Sequence, residues 1–251
     1  MVSTTTVEDL RQIAEQGAAE LGPEAGAEQV LRWTAETFGD RFIVASNMQD
    51  AVLIDLAVRA VSTARPGEQA SRSTARRPGS LDVLFLQTGY HFAETIGTRD
   101  AVAATYDVRI VNAEPEHTVA EQDSLLGTDL FAREPDRCCA LRKVVPLHRT
   151  LAGYDAWVTG VRRVEAPTRA NTPLVTWDDK FGLVKINPIA AWSDGDMDTY
   201  IDAHRILVNP LITAGYPSIG CAPCTAKPAP GADPRSGRWA GRAKTECGLH
   251  A

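Results

Sequence analysis

Four cysteines stand in two close pairs, and their thiolates are the side chains of this sequence best suited to bind metal. Cys138 and Cys139 are adjacent, and Cys221 and Cys224 form a Cys-x-x-Cys pair much further along the chain. Four thiolates suit either zinc or an iron–sulfur cluster. Structural zinc usually takes pairs separated by about two to four residues. An adjacent pair fits that spacing poorly, so a cluster, which presents separate irons, is favoured over zinc.

Two other interpretations of these cysteines remain open. Cys138 and Cys139 are small and apolar enough to be ordinary core residues. The Cys221-Ala-Pro-Cys224 segment resembles a redox dithiol, although it lacks the strand-then-helix setting in which such a dithiol usually occurs.

The fifth cysteine, Cys247, lies near the end of the chain, between Lys244 and His250. Cations near a cysteine stabilise its thiolate, and Gly248 gives the neighbouring backbone freedom. One interpretation is therefore a nucleophile on a mobile arm that reaches a pocket elsewhere. The other, which is equally weighted, is an unreactive tail thiol.

Strands that alternate with helices predict an α/β fold, a mostly parallel sheet with helices on both faces. The predicted strands are Phe42–Ala45, Leu81–Leu86, Val108–Asn112 and Ala156–Thr159. The predicted helices cover 8–38 with a break at Gly22-Pro23, 51–61, a stretch ending near Tyr106, 118–126 and 137–152.

Small polar residues follow three of these strands, at Ser46–Asp50, Gln87–Gly89 and Thr159-Gly160. Ligands of parallel sheets bind beyond the carboxyl ends of the strands, and a helix N-terminus can hold a phosphate-like group there. Plain N-capping by Ser46 or Asn47 would explain one such segment. Three together favour a nucleotide-sized pocket, although neither a Walker loop nor a Rossmann fingerprint is present.

Arginines that could hold an anion follow the last of these strands and recur near the carboxyl terminus. They are Arg162, Arg163, Arg169, Arg235 and Arg238. Guanidinium groups match the geometry of phosphate and sulfate. Any one of them alone would be read as a surface residue, but five near one sheet edge and one tail indicate an anion site.

Composition restricts the function classes further. The 251 residues are 44% hydrophobic and 23% charged, and the net charge is −6, which disfavours a general nucleic-acid binder. No apolar run reaches the roughly 20 residues of a membrane span, and residues 1–10 lack the apolar core of a signal peptide. A cytoplasmic protein is expected, with no nucleic-acid and no membrane partner.

Two regions are predicted along the chain. Residues 1–220 form an α/β nucleotide-binding region that also carries the first cysteine pair, interrupted by a flexible insertion at 62–80 rich in Ser, Arg, Pro and Gly. Residues 221–251 contain the Cys-x-x-Cys pair and a mobile catalytic tail.

From about Phe42 to His250 the sequence resembles the assimilatory adenylyl-sulfate (APS) reductases, of actinobacterial type, within the phosphoadenylyl-sulfate (PAPS) reductase family. Gln87 stands where the family usually has Asp. The residues that carry the resemblance are Ser46–Asp50, Leu86-Gln-Thr-Gly-Tyr-His91, Cys138-Cys-Ala-Leu-Arg-Lys143, Trp157-Val-Thr-Gly-Val-Arg-Arg163, Tyr216-Pro-Ser-Ile-Gly-Cys-Ala-Pro-Cys224 and Lys244-Thr-Glu-Cys-Gly-Leu-His250.

The resemblance implies an adenine-nucleotide α-hydrolase-like fold, a [4Fe–4S] cluster on the four paired cysteines, and Cys247 as the nucleophile. The thiolate would attack the sulfate sulfur of APS, expel AMP and leave an S-sulfocysteine. Thioredoxin or a similar dithiol would then release sulfite. Because family members with the four cysteines mostly use APS, APS is expected rather than PAPS.

Roles for the remaining site residues follow from the resemblance and from charge. Cations must offset the repulsion between a thiolate and a sulfate, and Lys143, four residues after Cys139, is placed between cluster and substrate. His250 would hydrogen-bond the substrate or the thiolate. The expected substrate-binding residues are Ser46, Asp50, Thr88, Gly89, Gly160, Arg169, Arg235 and Arg238.

Three competing functions have distinct signatures. A PAPS reductase would share the chemistry but take a substrate with an additional 3′-phosphate. An adenylating or thiolating ATP pyrophosphatase would need a Ser-Gly-Gly-x-Asp-Ser loop, whose glycines are missing from Ser46–Asp50. A zinc-bound nucleic-acid module would be colourless, and the acidic net charge disfavours it.

Overall fold

A computed structural model describes residues 5–64, 80–242, 244, 246, 248 and 249. One sheet of six strands organises this part of the chain, in the order β3-β2-β1-β4-β6-β5. The strands are β1 (Phe42–Ala45), β2 (Leu81–Leu86), β3 (Val108–Ala113), β4 (Ala156–Val158), β5 (Val175–Asp178) and β6 (Leu183–Ile186).

Ten helices accompany these strands in the described ranges. They are α1 (Val7–Leu21), α2 (Ala27–Phe38), α3 (Val52–Ala64), α4 (Ala93–Thr105), α5 (Val119–Leu126), α6 (Leu130–Arg133), α7 (Pro135–Cys139), α8 (Val145–Leu151), α9 (Asp194–His204) and α10 (Pro210–Thr213). A π-helical turn, Ala140–Val144, joins α7 to α8, and short 3-10 turns occur at Arg163–Glu165, Pro167–Arg169 and Ala222–Cys224.

The sheet is parallel except at one edge, where β5 pairs antiparallel with β6. The register places Val44 of β1 beside Val83 of β2 on one side and Val158 of β4 on the other. These three strands therefore end side by side, and the turns that follow them meet at one edge of the sheet.

Alternating strand residues bury the two faces of the sheet under different helices. Phe42 and Val44 face a large apolar core that contains the buried residues of α1, α2 and α3. Ile43 and Trp157 face a second, smaller core with Leu147 of α8. The predicted arrangement, a mostly parallel sheet with helices on both faces, is confirmed.

The four predicted strands agree with β1 to β4 to within one residue at each end, and the break at Gly22-Pro23 separates α1 from α2. β5, β6 and α9 all follow the last predicted strand and were not predicted. The predicted start of the insertion at Ser62 is wrong, since Ser62–Ala64 complete α3. Residues 65–79 of that insertion lie outside the described residues.

None of the described helices combines the length and the apolar character that a membrane span requires.

Candidate active site

The turns after β1, β2 and β4 surround a cavity of about 490 Å³, here called the strand-end cavity. Its walls include Ser46 and Asp50 from the first turn, Thr88 from the second, and Thr159 and Gly160 from the third. The structure thus brings together the three polar segments predicted to form a pocket, in the place where parallel sheets bind ligands.

In the first turn, the same side chains hold the backbone and line the strand-end cavity. The Ser46 hydroxyl accepts a hydrogen bond from the Met48 amide at 3.1 Å, and the Asp50 carboxylate accepts one from the Val52 amide at 3.0 Å. Met48 has a left-handed φ of 59°, which tightens the turn. Because α3 begins at Val52, the residue that caps it is Asp50, and not Ser46 or Asn47 as the sequence suggested, since their hydrogen bonds stay within the turn.

Burial raises the pKa of the Asp50 carboxyl, against the opposing effects of the Val52 hydrogen bond and the charge of Arg162. A carboxylate in the wall of an anion-binding cavity would repel its ligand. Because the pKa of Asp50 is raised, its carboxyl becomes neutral as the pH falls, and this repulsion is lost, at a higher pH than for an ordinary aspartate.

In the second turn, Thr88 and Gly89 have different surroundings. The Thr88 hydroxyl lies 3.3 Å from the Cys221 sulfur, which links this turn to the second cysteine pair. Gly89 is absent from the walls of the strand-end cavity. It has φ 78°, and a Cβ there would lie 2.9 Å from Arg142, so glycine is required by conformation and packing.

In the third turn, Thr159 and Gly160 leave β4. Buried Thr159 donates its hydroxyl proton to the Asn187 side-chain oxygen at 2.5 Å, which ties this turn to the segment after β6. Gly160 lies against Leu53 and Ile189, at ordinary van der Waals distances for a Cβ. Space alone therefore does not demand glycine at position 160.

Arg169 and Arg235 come together on the strand-end cavity, and a carboxylate of the tail lies between them. Arg169 donates two hydrogen bonds to Glu246, at 3.2 and 3.0 Å, and Arg235 lies 3.2 Å from the same carboxylate. Arg169 also bonds Glu165. Glu246 was missed in the sequence, where the only signal was its position beside Cys247.

The other three arginines occupy less direct positions. Arg238 lines the strand-end cavity, but it donates to the Ile219 carbonyl at 3.2 Å and stacks over the Trp239 ring. Arg162 also lines the cavity and pairs with Asp194 at 2.8 Å. Arg163 is absent from the cavity walls and donates to the Thr172 carbonyl.

All four paired cysteines line a second, small cavity, here called the cysteine cavity. Cys138, Cys139 and Cys221 are buried, and Cys224 is half-buried. Burial and the neighbouring thiols raise the pKa of Cys138 to about 12, and burial raises that of Cys224. Uncompensated thiolates are therefore disfavoured there, and bound cations would supply the missing compensation.

The cysteine cavity and the strand-end cavity share a wall. Lys143 and Cys221 line both of them. Lys143 is buried, and it lies on the π-helical turn that directly follows Cys139. Lys143, predicted to lie between cluster and substrate, therefore lies where the two cavities adjoin.

Two observations bear on which metal group the cysteine cavity suits. Over the described part of the chain, no three Cys, His or carboxylate side chains converge on a point where a single metal ion could sit. The indole N–H of Trp239 is buried without a hydrogen-bond partner among the described residues, and the Trp239 amide bonds the Cys224 carbonyl. The four thiols therefore surround a small cavity rather than one point, and Trp239 lines the adjoining strand-end cavity.

The tail contacts the body of the protein on both sides of Cys247. Lys244 pairs with Asp136, and its ammonium lies over the Trp239 ring. After Cys247, the Gly248 carbonyl accepts a hydrogen bond from Lys180, and Leu249 packs against the smaller core. Cys247 and His250, the predicted nucleophile and its neighbour, lie outside the described residues.

Comparison with known proteins agrees with this architecture. Residues 41–227 match the family model described as the phosphoadenosine phosphosulfate reductase domain. The chain belongs to this family. A relative from Mycolicibacterium smegmatis, named adenosine 5′-phosphosulfate reductase, is 67% identical over 249 residues, which cover 99% of this chain and 98% of the relative. A relative of the same name from Mycobacterium tuberculosis is 60% identical over 263 residues, covering 98% and 96%.

Solved structures support the fold of this family member. A PAPS reductase from Candida auris, in a phosphate complex, superposes with a TM-score of 0.65 at 23% identity, covering 89% of this chain and 98% of that one. The FMN adenylyltransferase of Candida glabrata superposes with a TM-score of 0.55 at 10% identity, covering 90% and 76%. The predicted adenine-nucleotide α-hydrolase-like fold is confirmed.

The substitution Asp50→Asn tests the environment of the first turn, because it keeps an oxygen acceptor for the Val52 amide and removes the charge. The folded-state pKa of Asp50 is raised, so ionisation at Asp50 costs the folded protein stability as the pH rises above about 4. In urea unfolding between pH 4 and 7, we expect the free energy of unfolding of the variant, minus that of the wild type, to increase with pH. A difference that is constant or that shrinks with pH would contradict this.

Proposed function

We propose that the protein reduces adenosine 5′-phosphosulfate to sulfite and AMP, with Cys247 as the nucleophile. The observation that carries the proposal is the position of the residues around Cys247. Glu246 and Leu249 line the strand-end cavity, and that cavity also contains Arg169 and Arg235. The high identity to relatives named for this reaction supports the same conclusion.

The strand-end cavity has separate surroundings for the two parts of the substrate. Ser46, Asp50, Thr88 and Gly160, from three adjacent strand ends, line the side where we place the nucleoside. The phosphosulfate would bind Arg169, Arg235 and Arg238, which all line the cavity. Gly89 would act indirectly, through the shape of the turn that carries Thr88.

The reaction begins as the Cys247 thiolate attacks the sulfate sulfur. An S–S bond forms while the S–O bond to the phosphate breaks, and AMP leaves with that electron pair. The phosphate of AMP is a weak base and needs little proton assistance. The product on the enzyme is an S-sulfocysteine.

A dithiol then completes the reduction. One of its thiolates attacks the Cys247 sulfur and displaces sulfite, and its second thiol resolves the mixed disulfide that results. Two thiols are oxidised to a disulfide as the sulfate sulfur gains two electrons. We propose thioredoxin, or a protein with similar chemistry, as this partner.

Charge compensation is the task of Lys143 in this scheme. It lies in the wall shared by the two cavities, so its ammonium can offset negative charge from both thiolates and substrate. His250, three residues beyond Cys247, is proposed as a hydrogen-bond donor to the substrate or to the attacking sulfur.

The four cysteines of the cysteine cavity are proposed to hold a [4Fe–4S] cluster. Their burial and their arrangement around a cavity suit such a group. Bound there, the cluster would supply fixed charge beside Lys143. It would not need to supply electrons, because the electrons of the reaction come from thiols. Cys138 and Cys139 enter from α7, and Cys221 and Cys224 from the start of the proposed 221–251 region.

APS is proposed rather than PAPS as the substrate. The relatives with 60–67% identity are named for adenosine 5′-phosphosulfate, whereas the PAPS reductase from Candida auris is only 23% identical. The four cysteines, which accompany APS use in the resembling family, are all present here.

The nucleophile can be tested by replacing Cys247 with Ser. After incubation with APS, we expect the wild-type chain to gain the mass of one sulfite group, which is lost again on addition of thioredoxin. The variant should bind APS and gain no mass, because a hydroxyl is far less nucleophilic than a thiolate. Intact-protein mass spectrometry measures both. An adduct on the variant as large as that on the wild type would refute this role for Cys247.

The cluster can be tested by comparing Cys138→Ser with Cys247→Ser, two identical substitutions at different sites. The first removes a proposed ligand and should lose iron, sulfide and the absorbance near 400 nm, whereas the second should keep all three. Iron analysis and visible spectroscopy of the purified proteins provide the measurement. A Cys138→Ser protein that keeps its full iron content, or a wild-type protein that carries zinc instead, would overturn the assignment.

A further inference from the structure

The carboxylate of Glu246 occupies the guanidinium pair that the proposed function assigns to the phosphosulfate. Arg169 holds it with two hydrogen bonds, at 3.2 and 3.0 Å, and Arg235 approaches one of its oxygens to 3.2 Å. The side chains of Arg169, Arg235 and Glu246 are only 13%, 21% and 22% exposed. Such partly buried, bidentate pairing is considerably stronger than a surface ion pair.

This arrangement leaves little free positive charge for a ligand. Arg169 bonds Glu165 as well as Glu246, so two carboxylates face two guanidinium groups. An incoming dianion must therefore compete with a carboxylate that is already bound. Glu165 belongs to the turn after β4, and it also accepts a hydrogen bond from the Arg162 amide. Glu246, by contrast, belongs to the tail.

We infer that Glu246 is an exchangeable internal anion, which the phosphosulfate of the substrate displaces from Arg169 and Arg235. This inference rests on the proposed function, since it assumes that the substrate's anionic group binds these two arginines. Glu246 is then a positioning residue. It holds the tail on the strand-end cavity while the cavity is empty of substrate, and it releases the tail when substrate arrives.

The neighbouring contacts explain how the exchange would reach Cys247. After Cys247, the tail is held by Lys180 through the Gly248 carbonyl and by packing of Leu249 against the smaller core. Glu246 provides the side-chain ion pairs on the other side. Loss of its pairing would remove the contact nearest to Cys247 on that side, so that the tail can adjust its position relative to the bound sulfate.

Adenosine diphosphate is a suitable probe, because its terminal phosphate takes the place of the sulfate and cannot be reduced. We expect Glu246→Gln to bind this nucleotide about three- to tenfold more tightly than the wild type in isothermal titration calorimetry, since the competing charge is gone. If Glu246 served only to stabilise the fold, Glu246→Gln would bind adenosine diphosphate more weakly than the wild type does.

Hydrogen exchange of the peptide that covers residues 240–251 provides the second measurement. In the wild-type protein, adenosine diphosphate should accelerate exchange in this peptide. In Glu246→Gln the exchange should already be fast, and the nucleotide should add little. The inference would be overturned if the nucleotide left the exchange of this peptide unchanged, or slowed it, in the wild type. It would also be overturned if Glu246→Gln bound the nucleotide no more tightly than the wild type does.

Two control variants separate release of the tail from loss of charge. Glu165→Gln removes the other carboxylate on Arg169, so nucleotide affinity should rise while tail exchange still responds to the nucleotide. Glu116→Gln removes an exposed carboxylate elsewhere and should change neither measurement. If Glu165→Gln matched Glu246→Gln in both measurements, general electrostatics would account for the data and the inference would be wrong.

The mass measurement with APS distinguishes the two possible failures. A wild-type protein that binds neither nucleotide and forms no adduct would refute the proposed function together with this inference. Formation of the sulfite adduct, with no effect of Glu246→Gln on affinity or tail exchange, would refute only the role of Glu246.

Discussion

The pairing of Arg169 and Arg235 with anions is the interaction on which the proposed function depends. A thiolate and a sulfate repel each other, so any chemistry between them needs cations that are held in place before the two meet. The parallel sheet supplies that place, because three adjacent strands end beside one cavity. Glu246 shows that these guanidinium groups bind a carboxylate, and that the tail can reach them.

The buried side chain of Arg142 helps to fix the cysteine cavity to the same sheet edge. Arg142 donates to the Thr88 carbonyl at 2.5 Å and to the Gln122 side-chain oxygen at 3.0 Å, which holds the helix with Cys138 and Cys139 against the turn after β2. The π-helical turn carries both Arg142 and Lys143, and such turns are frequent at functional sites. The positions of the cysteines and of the ligand cavity are thus set together.

Sequence reasoning could predict the sheet centre because Phe42–Ala45 is a short apolar run and Leu81–Leu86 is apolar except for Asp82, and both are bounded by polar turns. It could place the ligand cavity because parallel strands end at a common edge. The pairing of Glu246 with Arg169 could not be predicted, since it joins residues 77 positions apart whose separation only the fold determines. Gly89 differs from Glu246, because the sequence motif singled it out as a substrate-binding residue. In the fold it packs against Arg142, a contact that the motif does not reveal.

The most direct test of the central claim is the affinity of Arg169→Gln and Arg235→Gln for APS and for AMP, measured by calorimetry in the Cys247→Ser background so that APS is not consumed. If these arginines hold the sulfate end of the substrate, each substitution should weaken APS binding by about tenfold, or about 1.4 kcal/mol, and should affect AMP much less. Equal losses for the two nucleotides, or no loss for either, would contradict the account.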